Sequence, residues 1–135
     1  MPYLTIFASD KIRMHANGQT ADGLGIATEP FLTLPLEVAD AALLEAVQEC
    51  FKHSGRELPH EAWAAGDTAA YYAKLGVASR QALGRGLDVL QENGRYLLTP
   101  IDAKGLFGEP AEVDEAGLLR GIRKGLGLVQ VVTGD

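Results

Sequence analysis

The chain has 135 residues, of which 47% are hydrophobic and 22% charged, and its formal net charge is −6. This length and apolar fraction suit a single globular domain over residues 1–135. The negative charge argues against direct binding of nucleic acid, because a protein that neutralises phosphates needs a basic surface. The single cysteine, Cys50, excludes an intramolecular disulfide and a sulfur-rich metal site.

Two further features of the sequence bear on the location of the protein in the cell. No stretch of the sequence approaches the roughly 18 consecutive apolar residues of a membrane-spanning helix. Residues 1–4 lack the basic lead of a secretion signal. We therefore expect a cytoplasmic protein that does not bind a membrane.

The first part of the chain predicts three strands and one long loop. Residues 3–8 are rich in aromatic and β-branched side chains, and a weaker strand covers residues 11–15. Residues 16–30 contain an Asn-Gly turn pair and further glycines without a sustained period, so we interpret them as a loop of a length that is often functional. Residues 31–34 predict a third strand, which Pro35 ends.

The best-specified element is a helix that begins near Asp40 and ends before Gly55. Its apolar stripe consists of Leu43, Leu44, Val47 and Phe51. Residues 56–84 then predict a small helical insert made of short pieces. The residues that start or end these pieces are Pro59, Asp67, Gly76 and Ser79.

The second half of the chain predicts a β-hairpin, a loop and a closing helix. The hairpin covers residues 87–101 around an Asn-Gly pair, whose preferred turn matches the twist of antiparallel strands. Residues 102–110 follow as a loop. The apolar stripe of the closing helix consists of Leu118, Leu119, Ile122 and Leu126. Its glycines each weaken an isolated helix by roughly 1 kcal/mol relative to alanine, so this helix must depend on packing.

Residues 35–44 align without gaps on residues 110–119, with a proline, a glutamate, a valine, an alanine and two leucines in common. Both copies place acidic residues where the dipole of a following helix favours them. We therefore predict an α+β fold with two related strand-and-helix halves. Its antiparallel or mixed sheet of about five strands would carry the two longer helices on one face, beside the small helical insert.

The sequence contains no recognisable catalytic, metal-binding or cofactor-binding motif. His60 and Glu61 begin like a zinc-protease motif, but Ala64 stands where the second histidine is needed. His15 and His53 are too separate to predict a metal cluster. No serine sits in a nucleophile elbow, and no pair of acids has the pattern of an acid and base. We therefore predict a protein that is not an enzyme and uses neither a metal nor a cofactor.

The insert contains the side chains that most resemble a contact surface, because binding hot spots favour tryptophan and tyrosine. The aromatic members are Trp63, Tyr71 and Tyr72, and the acids around them are Glu57, Glu61 and Asp67. Core packing is the competing interpretation of the aromatic residues, and a solvated polar face is that of the acids.

Several motifs between residues 3 and 126 form a larger pattern. The most distinctive is the glycine-rich segment 20–30 that ends in Glu-Pro, with the strand at 31–36 and the leucine pair of the first long helix after it. The other motifs are Ser54-Gly55, Pro59-His60, Trp63, Leu75-Gly76-Val77, Ser79 and Leu98-Thr99-Pro100. Together they resemble the immunity proteins of bacterial contact-dependent growth inhibition systems. Residues 100–112 are shorter than the resemblance leads us to expect, and residues 128–135 look like an addition.

The resemblance implies a non-enzymatic cytoplasmic protein that binds the C-terminal toxin domain of a large exported effector as a heterodimer and neutralises it, protecting the producing cell. Such toxin domains are often nucleases, whose basic substrate clefts would attract an acidic inhibitor. No interface residue follows from these motifs.

Two alternative functions remain open. The first is a small cytosolic enzyme or ligand-binding domain that uses residues 16–30 as a pocket wall, which requires Asp22, Glu29 and a histidine to lie close together. The second is a structural homo-oligomeric subunit, which no feature of the sequence specifically favours.

Overall fold

A computed structural model describes residues 2–23, 25–59 and 68–128. Within these residues the strands are β1 (Tyr3–Ala8), β2 (Lys11–Gln19), β3 (Gly25–Pro35), β4 (Arg85–Glu92), β5 (Arg95–Ile101) and β6 (Ala111–Asp114). The helices are α1 (Asp40–His53), α2 (Thr68–Leu75), α3 (Arg80–Leu83) and α4 (Leu118–Gly125), and a 3-10 turn at Glu115–Gly117 precedes α4. In these parts of the chain, no helix is long and apolar enough to cross a membrane.

The described strands form a six-stranded sheet in the order β3-β2-β1-β4-β5-β6, and each neighbouring pair is antiparallel. Three consecutive strands followed by a long helix make up each half of this α+β fold. The first half consists of β1, β2, β3 and α1, and the second consists of β4, β5, β6 and α4. The two halves suggested by the internal repeat therefore have the same order of elements, in a sheet with one strand more than we predicted.

The first face of the sheet carries the main hydrophobic core, which includes Leu4 and residues of both α1 and α4. Helices α1 and α4, which contain the two predicted apolar stripes, therefore share one face, as predicted, although α4 has only eight residues, as many as the described part of α2. A Cβ on Gly121 would lie 2.6 Å from Cδ1 of Leu98, and a Cβ on Gly125 would lie 2.8 Å from Cδ1 of Leu87. The glycines that weaken α4 in isolation thus let it approach β4 and β5 closely.

Arg123 of α4 connects the two halves on this face. Its side chain is 2% exposed, and its Nε and Nη2 donate to Oδ1 of Asp40 at 3.0 and 2.8 Å. Nη2 also donates to the carbonyl oxygen of Val38 at 2.9 Å. Because a buried guanidinium is costly unless it is paired, these bonds fix α4 against the start of α1.

The described helices of the insert, α2 and α3, pack on the second face of the sheet, over β1, β2 and β3. Leu75 and Leu83 are buried there against Phe7. Gly76 follows α2 at a φ of +76°, and the hydroxyl of Ser79 accepts a hydrogen bond from an α3 amide at 3.3 Å, as predicted for a helix cap. The helical piece that Pro59 is predicted to start, over residues 60–65, and the predicted cap at Asp67 lie outside the described residues.

The prediction of a long loop over residues 16–30 is wrong, because β2 continues to Gln19 and β3 already begins at Gly25. At the end of β2, one edge of the strand pairs with β3 and the opposite edge pairs with residues 55–58. There the amide of Gln19 donates to the carbonyl oxygen of Arg56 at 2.9 Å. A Cβ on Gly18 would lie 2.7 Å from that oxygen. Glycine at this position therefore permits a close approach of two backbones within a strand, instead of forming a turn.

Strand β6 is not apparent from the sequence, although it lies within the second copy of the internal repeat. Pro35 ends β3, whereas Pro110 precedes β6. With four residues, β6 is too short to show a clear alternation of apolar and polar side chains. The hairpin formed by β4 and β5 is confirmed, with Asn93 and Gly94 at φ values of 53° and 76° in its turn.

Candidate binding surface

Part of the contact surface predicted from the sequence lies within the described residues. Tyr71 and Tyr72 are half-buried on α2 and pack against the cluster formed by Phe7, Leu75 and Leu83. Glu57 is exposed and forms an isolated β-bridge with Gln19. The tyrosines therefore help to pack the insert on the sheet. Glu61, Trp63 and Asp67 are outside the described residues.

His15 lies on β2 beneath Tyr71, and both of its ring nitrogens have partners. Nε2 is 2.7 Å from the hydroxyl of Tyr71, and Nδ1 is 2.9 Å from the carbonyl oxygen of Ala16. Because a carbonyl oxygen only accepts, Nδ1 carries the proton and Nε2 accepts from the tyrosine. Burial lowers the pKa of His15 to about 4, so the ring is neutral at pH 7. These bonds give His15 a structural role between the sheet and α2.

A polar network crosses β2, β1 and β4 on the second face. The side-chain Nδ2 of Asn17 donates to the hydroxyl of Thr5 at 2.9 Å, and that hydroxyl donates to Oδ1 of Asp88 at 2.8 Å. The hydroxyl of Tyr3 donates to Oδ2 of Asp88 at 3.0 Å. Desolvation by burial raises the pKa of Asp88, although both hydroxyl donors lower it. Because a satisfied buried network favours one arrangement of its strands, we expect these residues to specify strand register.

Metal-ligating and nucleophilic groups do not converge in this part of the chain. Among residues 2–23, 25–59 and 68–128, no group of three or more histidine, cysteine, aspartate or glutamate side chains could hold a metal ion. Cys50 is buried in the main core, where burial and the nearby Glu49 raise its pKa to about 12. A thiol with that pKa is protonated at neutral pH, so Cys50 acts as a core residue.

The large apolar side chains that the described residues expose lie on β5 or in the loop that follows it. They are Leu97, Leu106 and Phe107, which are 38%, 65% and 66% exposed. We call these three residues the apolar edge patch. Grouped apolar side chains of this kind mark interaction sites in soluble proteins, whereas scattered ones are ordinary.

Strand register places Leu97 and Phe107 on the second face of the sheet. Phe107 is bridged to Ile101, and Ile101 faces the same way as Thr99 and Leu97 because side chains alternate along a strand. Thr99 is opposite Asp88, a member of the polar network on this face. The four steps between residues 97 and 101 span about 13 Å of strand, so one protein interface can cover both ends. The described part of the apolar cluster under α2 and α3 includes no residue of β5 or β6.

The loop that carries Leu106 and Phe107 is ordered by hydrogen bonds. Oδ1 of Asp102 accepts from the amides of Lys104 and Leu106 at 2.8 and 3.0 Å, which lowers the pKa of this carboxyl group. The amide of Asp102 donates to the carbonyl oxygen of Leu106 at 2.9 Å. Arg80 of α3 donates to the carbonyl oxygen of Asp102 at 2.6 Å. The loop therefore holds two large apolar side chains in solvent in a defined conformation.

The surroundings of the apolar edge patch are acidic. Residues 92–115 contain six acids and two bases, so they carry a net charge of −4 out of −6 for the chain. Glu112 lies opposite Leu97 and pairs with the exposed Arg95, with 2.9 Å between Nε and Oε2. This surface combines apolar contacts with negative charge, so it suits a partner that has apolar and basic side chains together.

This surface is distinct from Tyr71 and Tyr72, the described members of the aromatic cluster that the sequence predicts. The sequence identifies residues 102–110 as a loop, which is confirmed, but assigns them no role. A signal was available in the adjacent Leu106 and Phe107, since apolar side chains in a short loop bounded by Gly105 and Gly108 have no helix or strand to bury them.

A concave feature lies where β3 meets the ends of α1 and α2. Its volume is about 610 Å³, and the described residues that line it are Glu29, Pro30, Phe31, His53, Arg56 and Lys74. Two groups required by the ligand-binding alternative, Glu29 and His53, thus share a cleft. Asp22 is not among these lining residues, and His53 is paired with Glu49 at 3.0 Å. The basic side chains of the cleft suit a small anion.

No protein-family model matches the chain, and no curated protein matches it significantly. Among solved structures, the chain is similar to "Protein of Unknown Function NMB0488 from Neisseria meningitidis". The TM-score is 0.63 at 16% sequence identity, and the alignment covers 93% of this chain and 91% of that one. At this identity the likeness shows a common fold and does not establish a function.

Proposed function

We propose that this chain is an immunity protein of a contact-dependent growth inhibition system, which binds the C-terminal toxin domain of an exported effector and neutralises it. The observation that carries the proposal is the apolar edge patch within an acidic surface. The sequence motifs described above support the class of partner. The protein acts by forming a heterodimer and needs no cofactor.

The charge of the surface supports a nuclease as the toxin. A nuclease needs a basic cleft to hold the phosphates of its substrate, and residues 92–115 offer the opposite charge. Complementary charge increases the association rate and selects the partner, while buried apolar side chains such as Phe107 supply affinity. Neutralisation by binding also requires no reactive group, which is consistent with the buried positions of His15 and Cys50.

Co-expression tests the proposal. The proposal requires a large exported protein encoded at the same locus, and the test produces the C-terminal domain of that protein with and without this chain. We expect the toxin domain alone to arrest growth and the chain to restore it. The two should co-purify as a one-to-one complex with roughly 1,200 to 2,000 Å² of total buried surface. A chain that neither restores growth nor co-purifies would contradict the proposal.

The cleft lined by Glu29, His53, Arg56 and Lys74 favours a second candidate function, which is the binding of a small anion. Inorganic phosphate is a suitable first probe in a thermal-shift titration. Binding should raise the melting temperature of the natural chain, and replacement of Arg56 and Lys74 by alanine should abolish that increase. An unchanged melting temperature at millimolar phosphate would count against this candidate.

A further inference from the structure

Resting on the proposed function, we infer that residues 102–110 form the anchor of the interface and insert Leu106 and Phe107 into an apolar socket with a basic rim on the toxin domain. The loop is the part of the apolar edge patch where exposure is greatest. Leu97 lies farther along the sheet and extends the contact.

The order of the loop supports insertion without rearrangement. The side chains of Leu106 and Phe107 are 65% and 66% exposed, so they contribute little to the core of the free protein. The hydrogen bonds of Asp102 nevertheless fix the backbone that presents them. Because association normally costs conformational entropy, a binding loop that is already ordered gains affinity.

The charge around the loop identifies the kind of occupant. Asp102 and Glu109 flank the apolar pair, and the segment 92–115 has a net charge of −4. A second copy of the chain would bring the same negative segment to the contact, where like charges repel. A toxin surface with lysine and arginine around an apolar socket complements both properties.

Asp102 is a positioning residue for this contact. Its Oδ1 accepts two backbone amides of the loop, so its removal should disorder Leu106 and Phe107 without changing either side chain. Asparagine retains an oxygen that accepts the same hydrogen bonds. We expect Asp102→Ala to weaken toxin binding about 10-fold and Asp102→Asn to keep it within about threefold of the natural chain.

The interface is tested by measuring the dissociation constant and association rate with a catalytically inactive toxin domain. Phe107→Ser should weaken binding at least about 30-fold, as for other aromatic hot spots, while its melting temperature stays close to that of the natural chain because the residue is exposed. Glu109→Lys should slow association about 10-fold at low salt. The matched control is Glu45→Lys on α1, which changes net charge equally at an exposed site and should slow association less than about threefold.

The outcomes separate this inference from the proposed function. If the toxin binds the natural chain, and the Phe107 and Leu106 serine variants bind it equally well, the loop is not the anchor but the immunity function stands. If the toxin does not bind the natural chain at all, the proposed function fails first. Light scattering gives a third result, because a dimer of the chain alone that Phe107→Ser dissociates would show that a second copy occupies the patch and would overturn the inference.

Discussion

The buried histidine of β2 makes the stability of the fold depend on pH. His15 is 2% exposed, and its neutral ring is held between the hydroxyl of Tyr71 and the carbonyl oxygen of Ala16. A protonated ring would have to donate from Nε2, where the tyrosine now donates. The unfolded chain, in contrast, protonates this histidine freely in water. Acid should therefore favour unfolding.

The magnitude follows from the two pKa values. The pKa of His15 falls from 6.5 to about 4 in the folded protein because burial disfavours the charged ring. At 1.36 kcal/mol per pKa unit, this difference corresponds to about 3 kcal/mol of stability once the ring is protonated in both states. Because the folded pKa is lowered, the loss begins as pH falls below 6.5 and is complete below about 4. By pH 4.5 about 2 kcal/mol should be lost.

Urea denaturation between pH 7 and pH 4.5 measures this effect in the natural chain and in His15→Gln. Glutamine can still accept from the hydroxyl of Tyr71, but it does not titrate. The difference in unfolding free energy between the two proteins should change by about 2 kcal/mol over this range, in favour of the variant at low pH. The matched control is His53→Gln, which removes a histidine whose side chain is 43% exposed. This control shows how far the loss of any one histidine side chain changes the unfolding free energy.

Taking the difference in unfolding free energy between the two proteins also cancels the contributions of other titrating groups, such as Asp88, because both proteins contain those groups. A difference in unfolding free energy that stays constant from pH 7 to pH 4.5 would refute the reasoning. It would show that His15 is protonated at the same pH in the folded and unfolded states, either because water reaches the ring or because the folded protein stabilises the charged ring.

Three further predictions concern packing, burial and ion pairing, and each is checked by urea denaturation. Gly121→Ala should destabilise the fold by about 1 to 3 kcal/mol although alanine favours helices, because its Cβ would lie 2.6 Å from Leu98. Asp88→Asn removes a carboxyl group whose pKa is raised by burial. Because the folded pKa is raised, ionisation of Asp88 lowers the unfolding free energy of the natural chain as pH rises above 3.8. The unfolding free energy of the variant should therefore increase relative to that of the natural chain between pH 4 and pH 7. Asp40→Ala should cost about 2 to 4 kcal/mol by leaving the buried Arg123 without its carboxylate, whereas Glu45→Ala at an exposed position of α1 should cost less than about 0.5 kcal/mol.

The elements that the sequence predicts well are those with local signals. The hairpin is identified by Asn93 and Gly94, and the first long helix is identified by its apolar stripe after Asp40. The extension of β2 is different, because it pairs with β3 on one side and, on the other, with the segment 55–58, far along the chain. Locally, Gly18 is typical of a turn. The close approach of the Arg56 carbonyl oxygen and the Leu58 side chain explains it, and that approach depends on the tertiary structure.

The candidate site shows the same division. Aromatic residues on a helix are equally typical of a core and of an interface, and the structure places Tyr71 against His15. The apolar edge patch depends on contacts between residues that are far apart in the sequence. Phe107 faces the same side as Leu97 only because it is bridged to Ile101, and the loop is fixed partly by Arg80 from α3. Predicting this surface would require the sheet register and the position of the insert.

The order of elements explains why an exposed surface is found in the second half of the sheet. Both halves place a long helix on the first face, but the insert follows α1 and its described helices cover the second face only over β1, β2 and β3. The positions around Phe31 on β3 are therefore packed by α2, whereas Leu97 on β5 remains exposed. Within the described residues, a sheet with two similar halves and one insert leaves one half without an equivalent cover. We expect the proposed toxin domain to take that place, because this half exposes large apolar side chains beside the acidic segment 92–115.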